Sequence, residues 1–191
     1  TLALFEQEAR RVSGLYHPRI APLHDFGQEN GRYYLVMRFI EGPNLAELIQ
    51  KRGHLPWEEA ARITAEVGEA LTYAHSLNLA HGDVKPQNIL IHPKEGAVLT
   101  DFGLARIAET GSVKGSIRLQ GTPAYMAPEL WDGAPASPAS DQYALACVLV
   151  EMLTGKVLFG ASTPMAALKR HTQPPNLPAE WQQGQAAWFG E

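Results

Sequence analysis

His81-Gly82-Asp83-Val84-Lys85-Pro86-Gln87-Asn88 sets a carboxylate, a cation and an amide within a few residues of one another. Two further clusters follow in order: Asp101-Phe102-Gly103, then Gly121-Thr122-Pro123-Ala124-Tyr125-Met126-Ala127-Pro128-Glu129. Moving a phosphoryl group from ATP requires a carboxylate to orient or deprotonate the acceptor hydroxyl, a cation on the transferred group, and oxygen ligands that hold Mg²⁺ against the phosphates. Asp83 can take the hydroxyl proton and Lys85 can neutralise the phosphoryl group. Asn88 and Asp101 offer the hard oxygens that Mg²⁺ prefers.

Working outward, short apolar runs at Ile89–Ile91 and Ala97–Thr100, joined by His92-Pro93-Lys94-Glu95-Gly96, predict a small hairpin between the first two clusters. Upstream, Pro56 opens a helix whose Ala60, Ile63, Val67, Ala70, Leu71 and Ala74 trace one apolar stripe. Before it, Asn44 is a candidate cap for a helix bearing Leu45, Leu48 and Ile49, with Glu47 at the capping-box position. Leu23–Gly27 and Tyr33–Ile40 read as strands joined through Asn30-Gly31. Leu4, Phe5, Ala9 and Val12 predict an opening helix that ends at Gly14. Downstream, 101–130 has no sustained period and reads as a long loop, of the kind that is usually functional. A helix apolar almost all round, from about Ser140 to Leu153 with a run from Tyr143 to Leu153 broken only by Glu151, belongs in the centre of a domain. A last short helix is expected near Met165–His171.

Composition narrows the class. The 191 residues carry 16 Lys+Arg against 20 Asp+Glu, a formal net charge of −4, which argues against a nucleic-acid partner. A hydrophobic fraction of 45% is ordinary for a globular core. Cys147 is the only cysteine, so an intramolecular disulfide framework is excluded, and within an apolar helix it reads as packing. No apolar stretch approaches the roughly 20 residues of a membrane span.

The three ordered clusters resemble those of the protein-kinase superfamily, and most of all the bacterial Hanks-type serine/threonine kinases, over residues 1 to about 175. The resemblance implies an α+β kinase-like fold: a partial N-lobe over 1–40 (one helix, two strands and the hinge), a mainly helical C-lobe over 41–175, and an irregular tail over 176–191. It implies a protein Ser/Thr kinase using ATP and Mg²⁺, acting on protein hydroxyls in the cytoplasm. Asp83 is then the base, Lys85 the phosphate-contacting lysine, and Asn88 and Asp101 the Mg²⁺ ligands. Glu8 takes the ion-pair position on the helix that kinases call αC. Met37 is the gatekeeper, the Arg38 and Ile40 backbones face adenine, and Leu90 lies beneath the ring. Thr122 lies in the substrate-facing part of the activation segment, Phe102 reports active or inactive geometry, and Asp141 resembles the aspartate that bonds the catalytic-loop backbone.

Departures from the family pattern matter as well. No Gly-x-Gly-x-x-Gly occurs, and no strand lysine precedes Glu8, so the chain reads as a piece of a longer kinase with little activity expected of it alone. Gly82 stands where kinases usually have the arginine that receives a loop phosphate. The missing parts keep a pseudokinase-like binding module as one alternative. A small-molecule phosphotransferase of the aminoglycoside or choline kind is the other, against which Lys85 and the Thr122–Glu129 segment argue.

Overall fold

The computed structural model describes residues 2–102, 122–178 and 181, leaving out the side chains of 2–5 and 8. Gly103, the loop residues Arg106, Thr110, Ser112, Ser116, Arg118 and Gly121, the Glu8 side chain and the tail from 182 lie outside the described residues.

Among the described residues the architecture is α+β, with two small antiparallel sheets and a helical body. Helix α1 (Leu2–Ser13) leads to strands β1 (Leu23–Glu29) and β2 (Arg32–Met37). These pair from Leu23↔Met37 to Glu29↔Arg32. Both residues of the connecting turn have positive φ, Asn30 at 50° and Gly31 at 77°. That left-handed pair matches the twist of a two-residue hairpin, and Asn-Gly tolerates it best. The second strand ends at Met37, short of the Ile40 expected from its β-forming run. Beyond Met37, Arg38 N–H donates to the Pro22 carbonyl. Ile40 turns inward to pack with Ala21, Val98 and Leu90.

Helix α2 (Leu45–Arg52) starts at an Asn44 capping box with Glu47, a device worth about 1 kcal/mol. Helix α3 (Trp57–Ser76) buries its predicted stripe from Ala60 to Ala74. Strands β3 (Ile89–His92) and β4 (Gly96–Leu99) form the expected hairpin. The link after α1 is stitched to β4 by Ala21 N–H to the Leu99 carbonyl and Leu99 N–H to the Arg19 carbonyl.

The segment expected to be loop is not wholly irregular. Thr122 leads into a 3₁₀ turn, Pro123–Tyr125, and a short helix α4, Pro128–Trp131. A proline opens each, where its missing N–H costs nothing. The central helix α5 (Pro138–Thr154) begins two residues before the expected Ser140, because Ser137 caps it through Ser140 with Pro138 inside the first turn. Helix α6 (Pro164–His171) follows. Helix α3 packs against both α5 and β4, and one core runs from α1 through α3 to α5. No helix among the described residues is long and apolar enough to cross a membrane.

Candidate active site

The site is built on α5. Asp141, in the first turn of that helix and 1% exposed, accepts three N–H groups at 2.8 Å each: the His81 and Gly82 amides and the His75 ring. A buried carboxylate is tolerable only when hydrogen-bonded in this way. It ties the loop after α3 to the central helix. Gly82 sits at φ +78°, with its Cβ position 3.2 Å from the Ala136 methyl. A side chain there is both strained and crowded.

His81 is 1% exposed. Its Nε2 donates to the Thr100 carbonyl at 2.9 Å, and its Nδ1 accepts the Asp83 amide at 3.1 Å. Those two bonds require the neutral ring, and burial lowers its pKa in the same direction. The Phe102 ring, buried, packs edge-on against His81 at 4.6 Å.

Asp83 is thereby set between Lys85 and Asn88 on one side and Thr122 on the other. One carboxylate oxygen receives Lys85 Nζ at 2.5 Å and Asn88 Nδ2 at 3.3 Å. The other receives the Thr122 amide at 3.1 Å, with the Thr122 hydroxyl at 3.5 Å. Asn88 also donates to the Asp83 carbonyl at 2.9 Å, so its Oδ1 is not spent on that bond. A 3₁₀ turn, Pro86–Asn88, and the Thr100 amide on the Asn88 carbonyl hold that residue. Asp101 is half-buried at φ +64°. Desolvation raises its carboxyl pKa, against the pull of the Lys85 charge. A carboxylate in that state gains from a cation. Among the described residues no group of three or more His, Cys, Asp or Glu gathers to hold a metal alone. The Asn88 Oδ1 and the Asp101 carboxylate are hard oxygens of the kind that Mg²⁺ takes beside substrate phosphates and water.

Of the expected nucleotide residues, Met37 ends β2 with Arg38 and Ile40 just beyond it, and Leu90 lies on β3. Met37 is half-buried against the core, its sulfur 3.9 Å from the Thr100 hydroxyl. The Arg38 side chain turns away to pair with Glu95 at 2.6 Å. Leu90 packs half-buried on Ala21, Ile40 and Val98. Glu129 is exposed and makes no ion pair among the described residues.

Several contacts escaped the sequence reading because they join residues far apart in the chain. The Thr122 amide on Asp83 is one. Another is the Tyr125 hydroxyl on Glu151, 2.5 Å long and buried. Glu151 did carry a signal, as the one charge interrupting the apolar run of α5. Cys147 is buried beside it, its thiol pushed up to about 12 by desolvation, so it is packing.

A family model described as protein kinase domain matches residues 3–184. The serine/threonine-protein kinase PrkC of Bacillus subtilis (strain 168) is 38% identical over 175 residues, covering 88% of this chain and 26% of that protein. The serine/threonine-protein kinase PknA of Mycobacterium tuberculosis (strain ATCC 25177 / H37Ra) is 39% identical over 183 residues, covering 92% of this chain and 42% of that protein. Among solved structures, residues 1–466 of Rad53 in complex with AMP-PNP superpose with a TM-score of 0.71 at 30% identity, over 87% of this chain and 42% of that one. The chain thus spans less than half the length of each of these proteins.

Proposed function

Because the chain belongs to the protein kinase family, we propose that its cleft performs Mg·ATP-dependent phosphoryl transfer to serine or threonine hydroxyls of protein substrates. One observation carries the reading: a single carboxylate, Asp83, meets Lys85, Asn88 and the Thr122 amide at once. In that arrangement Asp83 orients the acceptor hydroxyl and accepts its proton as the oxygen bonds to the γ-phosphorus. The bond to the β-phosphate oxygen breaks, and ADP leaves with the electron pair. Lys85 lies close enough to pass from Asp83 to the transferred group and neutralise it. Asn88 and Asp101 would hold Mg²⁺, which when bound supplies positive charge to the phosphates.

Met37 and Leu90 would flank adenine, with the Arg38 and Ile40 backbones facing its edge, and Glu8 would take the ion-pair position. The Rad53 kinase was solved in complex with AMP-PNP, an ATP analogue, which supports the same use of the cleft here. The Thr122–Glu129 segment would form the platform for a protein substrate, and the protein would act in the cytoplasm.

The test uses the full-length protein, radiolabelled ATP and a generic protein substrate, with calorimetry of nucleotide binding alongside. Asp83→Asn should abolish transfer while leaving nucleotide affinity nearly intact, whereas Asp101→Asn should weaken Mg·ATP binding as well. Transfer that survives Asp83→Asn would overturn the reading.

A further inference from the structure

His171 ends α6 far along the chain from the catalytic loop, yet it reaches the segment that touches Asp83. It is buried, at 8% exposure. Its Nε2 lies 2.8 Å from the Pro123 carbonyl oxygen and its Nδ1 2.7 Å from the Tyr143 hydroxyl. A carbonyl only accepts, so Nε2 carries the proton, and in the neutral ring Nδ1 is left to accept from Tyr143. Aromatic rings wall the imidazole: Phe159 at 4.2 Å, Tyr143 at 5.7 Å and Trp131 at 6.3 Å.

The consequence lies one residue back. The described residues from Thr122 to Tyr125 are held at three points. Thr122 bonds Asp83. Tyr125 bonds Glu151 on α5. Between them, the Pro123 carbonyl takes the His171 ring from α6. Proline offers no N–H, so that carbonyl is the only polar handle of the residue next to Thr122.

We infer that His171 is a positioning residue: its hydrogen bond to Pro123 fixes the Thr122 segment against Asp83, and so sets how tightly the protein substrate, rather than ATP, is held. This rests on the kinase reading above. Imidazole suits the task because it presents a donor at one end and an acceptor at the other across a rigid ring. Glutamine can supply the same pair from its amide, whereas phenylalanine fills the aromatic space without either.

The test compares full-length wild type with His171→Gln and His171→Phe, measuring kcat and KM for protein substrate and for ATP separately. For His171→Phe the protein-substrate KM should rise roughly tenfold, about the effect of leaving one buried carbonyl unpaired, while the ATP KM moves less than about twofold. His171→Gln should restore the protein-substrate KM. If His171→Phe does not fold, His171→Asn, too short to span from Tyr143 to Pro123, should show the same split. An unchanged protein-substrate KM in the phenylalanine or asparagine variant, or equal losses for both substrates that glutamine does not rescue, would overturn the proposal. A wild type without Asp83-dependent transfer would instead overturn the kinase reading itself.

Discussion

Lys85 donates to the carboxylate of Asp83 over 2.5 Å, so the two opposite charges offset each other at the centre of the candidate site. The bond spans two residues of the chain, with Val84 buried between them. It keeps the lysine beside the carboxylate. In the proposed reaction Lys85 would serve two partners in turn, first Asp83 and then the transferred phosphoryl group.

Replacing Lys85 by methionine should lower kcat by about 10²–10³, the scale for losing one preorganised charge in a transition state. The ATP KM should change little, because the lysine acts on charge that develops only during transfer. Steady-state kinetics on the full-length variant measures both quantities. A loss confined to the ATP KM would contradict this division.

The Tyr125–Glu151 bond predicts an asymmetry in stability. Burial raises the pKa of both groups, and the phenol donates to the carboxylate inside α5's packed face. Tyr125→Phe leaves a buried carboxylate without its donor and should cost about 3 kcal/mol. Glu151→Gln still accepts the phenol proton and should fall within about 1 kcal/mol of wild type. Urea denaturation of the three proteins at neutral pH decides this, with equal losses counting against it.

What could be read from the chain follows from how local each signal is. The hairpin turn Asn30-Gly31, the Asn44 capping box and the stripe of α3 are written within a few neighbouring residues, and each stands where its pattern put it. That Asp83, Lys85 and Asn88 would meet was legible for the same reason, since they lie within a few residues of one another. Two things were not legible. The end of β2 was overestimated because the β-forming run continues past Met37, while the Arg38 bond to Pro22 and the burial of Ile40 stop the strand through partners elsewhere. The hold on Thr122–Tyr125 was invisible because Asp83, Glu151 and His171 come from three separate parts of the chain.

Acid should unfold the protein through its buried histidines. Burial lowers the pKa of both His81 and His171 below the usual 6.5. Each hydrogen-bonds as a neutral ring, so the unfolded chain binds protons first as pH falls. Their contribution is therefore fully present above about pH 6.5 and is lost as pH drops through the folded values. Glu151, raised by burial, works in the opposite sense. Among the described residues, Tyr143 on α5 bonds the His171 ring, Cys147 on α5 and Glu129 on α4 act on Tyr143, and Lys169 and Arg170 share the helix of His171. Denaturation measured from pH 7.5 to 5 should show falling stability, with a shallower slope in His171→Gln; identical slopes would count against His171's share.

The last prediction concerns Gly82 and the control of the cleft. Its φ of +78° and the 3.2 Å approach of its Cβ position to Ala136 leave no room for an unstrained side chain, while its amide remains committed to Asp141. Gly82→Ala should cost about 1–2 kcal/mol, the penalty of a left-handed conformation, and Gly82→Arg at least as much. An arginine at this position is what would receive a phosphate on the segment that follows Asp101. With glycine there, the nearest cation of the catalytic loop is Lys85, already bonded to Asp83. A phosphate on Thr110, Ser112 or Ser116 then finds no receptor in the catalytic loop, and turnover should not depend on it. Initial rates of the autophosphorylated full-length protein and of its Thr110→Ala/Ser112→Ala/Ser116→Ala variant should agree. A drop of more than about tenfold in the variant, or about 1.4 kcal/mol in the barrier, would show that the loop phosphate finds a receptor despite Gly82.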